Sequence, residues 1–172
     1  MSGKRIPRLS RRACWAFALL LAAAASAQTP DVPNRHDPLP GITTAGQPSA
    51  ANLEAVAKAG YKAVIDLRAL AEERGFDERA TVERLGMSYV SLPIDGAAGV
   101  TYENAAELDR LLAELPKPVL LHCSSANRAG ALLALRARRN GADSAAALEL
   151  GVASGLAGLK PAVEKKLAED PQ

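Results

Sequence analysis

Cysteine, histidine and aromatic residues are scarce in this chain of 172 residues. It has two cysteines, two histidines, three tyrosines, two phenylalanines and one tryptophan. Only Cys123 lies beyond residue 27, which excludes an internal disulfide from everything that follows. His36 and His122 are far apart, so a zinc site of the usual cysteine and histidine kind cannot be assembled from this inventory. We therefore expect no metal and no cofactor.

Residues 1–27 have the three zones of a cleaved signal peptide. A basic start precedes the apolar run 15–25, and Ala-Ser-Ala at 25–27 supplies small residues for cleavage before Gln28. The run is a poor membrane span, because crossing a bilayer takes about 20 apolar residues. The sequence therefore predicts a periplasmic or secreted protein, with a retained N-terminal anchor as the alternative.

The positive charge of the chain is concentrated in this leader. Five of its 21 lysines and arginines lie there, which leaves 16 against 19 acidic residues and a net charge of −3 after cleavage. That balance gives no argument for nucleic-acid binding. The remaining 145 residues suffice for one domain with a core, and no repeat or second composition block appears.

Helical and strand patterns alternate along the rest of the chain. The proline-rich stretch 28–40 predicts a flexible lead-in to a domain over 41–172. Ser49 and Thr101 are suited to cap helices. The alternation predicts an α/β fold, with a central mostly parallel sheet flanked by helices. Helices are predicted near 50–59, 77–85, 101–115, 129–139, 143–154 and 160–168, and strands near 61–67, 87–92 and 119–122.

A candidate site follows the last of these strands. Ligands of parallel sheets bind at the carboxyl ends of strands, and Cys123 stands at such an end, separated from Arg128 by four residues. Loop amides at a helix N-terminus attract anions and favour a thiolate, and the arginine fork matches an oxyanion. The pattern predicts a cysteine nucleophile beneath an anion site. A buried, inert cysteine beside a surface arginine is the alternative.

Three motifs together resemble a known group of proteins. The segment 122–128 (His-Cys-Ser-Ser-Ala-Asn-Arg) resembles the active-site loop of the protein tyrosine/dual-specificity phosphatase superfamily. With 44–49 (Thr-Ala-Gly-Gln-Pro-Ser) and 64–68 (Val-Ile-Asp-Leu-Arg), it is similar to the bacterial phosphatase-like domain that is also found fused to beta-lactamase-like hydrolases. The resemblance covers about residues 41–140 and implies a single domain of the cysteine-phosphatase type.

The resemblance also implies roles for individual residues. Cys123 would attack phosphorus and form a phosphocysteine, while Arg128 would bind the equatorial oxygens of a phosphorylated substrate. Asp95, in a Leu-Pro-Ile-Asp-Gly stretch, would be the general acid; an ordinary turn residue is the alternative. His122 would tune and position the cysteine. The residues assigned to substrate binding on this basis are His122, Ser124, Ser125, Ala126 and Asn127.

The sequence departs from the superfamily pattern at three points. Four residues separate Cys123 from Arg128 where five are usual. Ala126 replaces a common glycine, at a position that can require a positive φ. Ala129 replaces a hydroxyl residue that helps the thiolate to leave, which predicts slow turnover of a phosphocysteine.

Two other functions stay open at this point. The four-residue spacing is also that of rhodanese-type sulfurtransferases, in which Cys123 would carry a persulfide. A non-catalytic anion-binding module is the third hypothesis, which Ala126 and Ala129 keep open. Asp66, Arg68 and Arg74 could flank the pocket, although a solvated surface would explain their charges equally well.

Overall fold

Five strands form one sheet in the computed structural model, which describes residues 29–169. The strands are β1 His36–Leu39, β2 Ile42–Ala45, β3 Ala63–Asp66, β4 Ser88–Ser91 and β5 Val119–His122. The sheet order is β1-β2-β5-β3-β4; β1 runs antiparallel to β2, and every other neighbouring pair is parallel. The predicted signal peptide lies outside the described residues.

Six helices flank this sheet, and each lies where the sequence predicts one. Ser49 and Thr101 cap as expected, because their side chains accept hydrogen bonds from the backbone N–H groups of Asn52 and Asn104. No helix among residues 29–169 is long and apolar enough to cross a membrane. The helices are α1 Ala50–Lys58, α2 Glu78–Arg84, α3 Tyr102–Glu114, α4 Asn127–Arg139, α5 Ser144–Ala153 and α6 Lys160–Leu167.

The helices form layers on both faces of the sheet. Val64 and Leu120 pack in one cluster with side chains of α1 and α2, whereas Ile65 and Leu121 pack in another with α3 and α4. Helices α5 and α6 cover the outer side of α4 through a third cluster. Because both faces of β3 and β5 are covered, these strands are apolar without alternation, as the sequence predicts for a buried parallel strand. The α/β prediction is confirmed.

Helices α4 and α5 approach closely through glycines. A Cβ atom added at Gly130 would overlap the backbone of Gly151 and Leu156, and one added at Gly151 would lie 2.9 Å from the Cβ atom of Ala134. Neither position has room for a methyl group.

Strands β1 and β2 are not predicted from the sequence. The segment 28–40, predicted as a flexible lead-in, contains β1. Its prolines conceal the strand because proline cannot donate to a ladder; Pro38 is tolerated on the sheet edge, where one side needs no partner. Strand β2 has only four residues, two of them threonine, and its apolar pattern is too short to detect.

The register of the sheet brings three strand ends together. Ala45 of β2 and Asp66 of β3 are both paired with His122 of β5. The segments that leave these strands therefore begin side by side at one edge, where Cys123 follows β5.

Candidate active site

The loop over residues 123–128 lies at this edge and joins β5 to α4. Cys123 is fully buried, and its N–H donates to the carbonyl of Ala45 at 3.3 Å. Arg128 lies in the first turn of α4 and is 8% exposed. The side chains of Ser124 and Ser125 are exposed. The cysteine thus lies beneath a loop that faces solvent, with the arginine beside it.

Ala126 has a left-handed backbone, as its replacement of a common glycine predicts. Its φ is +67°, and it serves as N-cap of α4 without a side-chain hydrogen bond. This conformation is unfavourable for a residue with a Cβ atom. The Cβ atom faces Gly155, where an added Cβ would come within 2.6 Å of it.

The other two sequence motifs fix the 123–128 loop from both sides. The N–H of Leu67 donates to the carbonyl of His122 at 2.8 Å, and the N–H of Gln47 donates to the carbonyl of Ser124 at 3.3 Å. Gly46 also forms an isolated antiparallel bridge with Ser125. The three motifs are therefore parts of one structure, in which the carbonyls of His122 and Ser124 accept hydrogen bonds from neighbouring segments.

Arg128 is held by four hydrogen bonds. Its Nη2 atom donates to Glu72 Oε2 at 2.8 Å and to Ser124 Oγ at 3.0 Å. Its Nη1 atom donates to Glu72 Oε1 and, at 3.1 Å, to the carbonyl of Ile94. Hydrogen bonds to Glu72, and in addition attraction to Cys123, hold the pKa of Arg128 above its ordinary value despite burial. Glu72 is absent from the sequence prediction, because it lies in a loop without periodicity.

His122 lies beneath the loop and away from solvent. Its ring is fully buried, and Nε2 lies 2.7 Å from Glu78 Oε1, a close contact whose orientation is not that of a hydrogen bond. Nδ1 lies 3.4 Å from the carbonyl oxygen of Cys123. The two imidazole nitrogens therefore face Glu78 and the carbonyl of Cys123, and not an anion on the loop.

A buried ionic network surrounds this histidine. Arg68 donates to Asp66 Oδ1 at 3.2 Å and to Glu78 Oε2 at 2.5 Å. Arg74 and Tyr89 donate to the other oxygen of Asp66 at 2.9 and 3.0 Å. Burial opposes the charge on Asp66, but attraction to His122 and hydrogen bonds from Arg68 outweigh it and lower its pKa. The solvated-surface alternative is wrong for Asp66 and Arg68, which are fully buried.

The same network has the spacing of a metal site. Ligand atoms of Asp66, Glu78 and His122 all lie within 4.8 Å of one another. The guanidinium of Arg68, however, already supplies a cation to both carboxylates. The donor set is thus matched by a side chain of the protein itself, and fits an internal ion-pair network better than a metal ion.

Asp95 follows Ile94, whose carbonyl accepts a hydrogen bond from Arg128. Ile94 is fully buried; its N–H donates to the carbonyl of Leu67 at 3.0 Å, and its carbonyl accepts the bond from Arg128. Asp95 itself is exposed, and its carbonyl accepts from the N–H of Gly99 at 2.9 Å. The backbone immediately before this carboxylate is therefore tied to the 123–128 loop.

The side chain of Asn127 is hydrogen-bonded to the connection between α5 and α6. Its Oδ1 atom accepts hydrogen bonds from the N–H groups of Ala157 at 2.8 Å and Leu159 at 3.3 Å. Both lie between α5 and α6. The side-chain oxygen of Asn127 is therefore used to hold the connection between α5 and α6.

Comparisons by sequence agree with this geometry. Residues 28–159 match the model of a family described as DSP-PTPase phosphatase fused to NAD+ kinase. Beta-lactamase hydrolase-like proteins of Agrobacterium fabrum and Xylella fastidiosa are 31% and 34% identical over 98 residues, which is 55% of this chain. The match spans only 22% of the length of these relatives.

Structural alignment matches this chain to solved structures with phosphatase folds. A protein of Neisseria meningitidis, proposed to be a phosphatase, aligns with a TM-score of 0.65 and 17% identity over 76% of this chain and 96% of its own. Pseudomonas aeruginosa TpbA, in a complex with phosphotyrosine, aligns with a TM-score of 0.56 and 22% identity over 78% and 82% of the two chains. The fold of this chain is that of the aligned phosphatase structures, and the chain belongs to the family described as DSP-PTPase phosphatase fused to NAD+ kinase.

Proposed function

We propose that this protein hydrolyses phosphoric monoesters through a phosphocysteine on Cys123. The observation that carries the proposal is the position of Cys123, at the end of the central strand β5 beneath a loop that Arg128 closes. A helix N-terminus and an arginine fork are a natural receptor for a phosphoryl group.

The proposed reaction has two steps. The Cys123 thiolate attacks phosphorus, the ester P–O bond breaks, and Asp95 gives its proton to the departing alcohol oxygen. Water then attacks the phosphocysteine, Asp95 takes a proton from that water, and the P–S bond breaks to return the thiolate and release phosphate. Arg128 and the amides of residues 124–128 stabilise the charge that develops on the equatorial oxygens. His122 acts as a positioning residue beneath Cys123.

Two observations support phosphatase chemistry over sulfur transfer. The matched family and the aligned structures are of the phosphatase type. In addition, Ile94 joins the Asp95 segment to Arg128, and a general acid is a group that persulfide chemistry does not use.

An assay with two substrates tests this proposal. The purified protein is given para-nitrophenyl phosphate in one experiment, and thiosulfate with cyanide in the other. We expect phosphate release that Cys123→Ser abolishes, together with a phosphorylated cysteine in the acid-quenched wild type. Thiocyanate formation without phosphate release would establish the sulfurtransferase instead. Binding of phosphate without either turnover would establish the anion-binding module.

We also propose that the chain is exported, with cleavage after Ala27. The basic, apolar and small-residue zones of residues 1–27 support this. Intact mass of the protein recovered from a periplasmic extract should correspond to a chain that begins at Gln28. Recovery of the uncleaved chain in the membrane fraction would show a retained anchor.

A further inference from the structure

A pocket of about 480 Å³ opens beside Ser125 of the 123–128 loop. Its walls come from three segments that are distant in sequence. Asn34 precedes β1 and His36 begins it, Ser125 and Asn127 belong to the loop, and the third segment runs from Val152 at the end of α5 into the connection to α6. A cavity of about 300–1,000 Å³ is typical for a small-molecule site.

Specific contacts hold these walls together. Asn127 fastens the connection after α5 through the two hydrogen bonds described above. Gly155 has a φ of +96°, and an added Cβ would lie 2.6 Å from the Cβ atom of Ala126 and 3.1 Å from the imidazole of His36. Thr44 Oγ1 donates to the buried carbonyl of Ser154 at 2.9 Å. The pocket is therefore built into the packing around the loop.

The lining identifies the chemistry that the pocket accepts. Its polar side chains are two amides, one hydroxyl and the imidazole of His36, and Val152 and Leu156 supply an apolar wall. No lysine, arginine, carboxylate, tyrosine, phenylalanine or tryptophan is among these described residues. A second phosphate would lack a permanently charged partner there, and a phenyl ring would lack an aromatic one.

We infer that this pocket binds the alcohol part of the substrate, and that this part is an uncharged group rich in hydroxyls, such as a sugar. Amides, a hydroxyl and an imidazole can both donate to and accept from hydroxyl groups, while the apolar wall suits the C–H face of a sugar ring. Ser125 belongs to both the loop and the pocket, so a phosphate on the loop and a sugar in the pocket fit one small ester. The inference rests on the phosphatase function proposed above.

Two esters with the same kind of leaving group provide the test. Glucose 6-phosphate and n-hexyl phosphate are both phosphates of a primary alcohol, so protonation of the leaving oxygen affects them equally. The informative quantity is the ratio of their kcat/KM values. We expect the wild type to favour glucose 6-phosphate about 10-fold or more, the gain from one or two well-placed hydrogen bonds.

Gly158 offers a variant that fills the pocket. A Cβ atom at this position would meet only the Nδ2 atom of Asn127, at 3.7 Å, so Gly158→Leu has room at its base. We expect it to bring the ratio close to one while hydrolysis of n-hexyl phosphate continues. Ala153→Leu, an exposed position on α5 outside the pocket, is the matched control and should keep the ratio of the wild type. His36→Ala should lower the ratio about 3- to 10-fold. This second variant tests whether the pocket binds the sugar if Gly158→Leu does not fold.

The outcomes separate the pocket from the proposed function. A wild-type ratio near or below one, or a ratio that Gly158→Leu and His36→Ala leave unchanged, overturns the inference while the phosphatase stands. If the wild type hydrolyses neither ester, the proposed function fails, and calorimetry on Cys123→Ser decides about the pocket. Tighter binding of glucose 6-phosphate than of inorganic phosphate, lost in Gly158→Leu, then supports the site; equal binding rejects it.

Discussion

Glu72 accepts a hydrogen bond from each terminal nitrogen of Arg128, and so holds the end of its guanidinium in a two-pronged ion pair. The same carboxylate accepts from the N–H of Ala69 at 2.7 Å, which fixes the glutamate to its own loop. Arg128 is thus oriented from the loop after β3, by a residue 56 positions away in sequence.

We predict that Glu72→Gln lowers kcat/KM for para-nitrophenyl phosphate by about 10- to 100-fold, the contribution of a hydrogen bond between charged groups. The amide keeps the shape of the side chain but offers one acceptor where two are needed. Steady-state kinetics measure the effect. Glu73→Gln, at the exposed neighbouring position, is the control and should behave as the wild type. Equal kcat/KM values for both variants would show that Arg128 does not need Glu72 to hold its orientation.

The stability that Glu72 contributes should depend on pH. Hydrogen bonds from Arg128 lower the pKa of Glu72 in the folded protein. A carboxyl with a lowered pKa stabilises the fold fully above its unfolded pKa of about 4.3, and this stabilisation is lost as pH falls through the folded value. Thermal unfolding of wild type and Glu72→Gln should therefore differ at neutral pH and converge as pH falls below about 4. A difference that is constant with pH would contradict the ionic origin.

Asp95→Asn should reduce hydrolysis according to the leaving group. Loss of a positioned general acid costs about 10²–10⁴ in rate when the departing alcohol needs a proton. The loss should be large with n-hexyl phosphate and much smaller with para-nitrophenyl phosphate, because nitrophenolate leaves unprotonated. Comparison of kcat for the two substrates measures this. A uniform loss with both substrates would mean that Asp95 binds or positions and is not the acid.

Glu78→Gln should destabilise the fold strongly. The change leaves the fully buried Arg68 with one carboxylate where it has two, and removal of one member of a buried ion pair costs about 3–5 kcal/mol. Glu83→Gln on the same helix is the control; its pair with Arg79 is more than half exposed and is worth at most about 1 kcal/mol. Urea unfolding gives both values. Similar losses of unfolding free energy in the two variants would show that the buried ion pair of Glu78 stabilises the fold no more than an exposed one.

Gly130→Ala should destabilise the protein by about 1–3 kcal/mol, the usual cost of overpacking. The added methyl group would overlap the backbone of Leu156 where α4 meets α5. Gly158→Ala is the matched control, since its methyl group finds only a side-chain atom at 3.7 Å. Urea unfolding compares the two. Equal stability would show that α5 can move away from α4 freely.

Local patterns were sufficient to predict most of the fold. Periodicity and capping residues locate all six helices and three of the five strands, because each of these signals lies within a few residues of the element that it predicts. The loop from Cys123 to Arg128 is likewise a local signal, since strand, loop and helix follow one another directly.

Contacts between distant residues were not predictable in this way. Glu72 meets Arg128 across 56 positions, and Glu78 meets His122 only because α2 packs beside the end of β5. Both glutamates lie where composition alone suggests solvent. The partners of a buried charge follow from the arrangement of the chain in space, and a single sequence does not contain that arrangement in any local pattern.

Strand β1 has a consequence for association between molecules. A free sheet edge normally offers a row of N–H and carbonyl groups to which another chain can add a strand, as in aggregation. This edge is four residues long and contains Pro38, which has no N–H to offer, beside Asp37, whose charge is paired with Arg35 at 2.6 Å. The edge nearest the proposed sugar pocket is thus protected against strand addition.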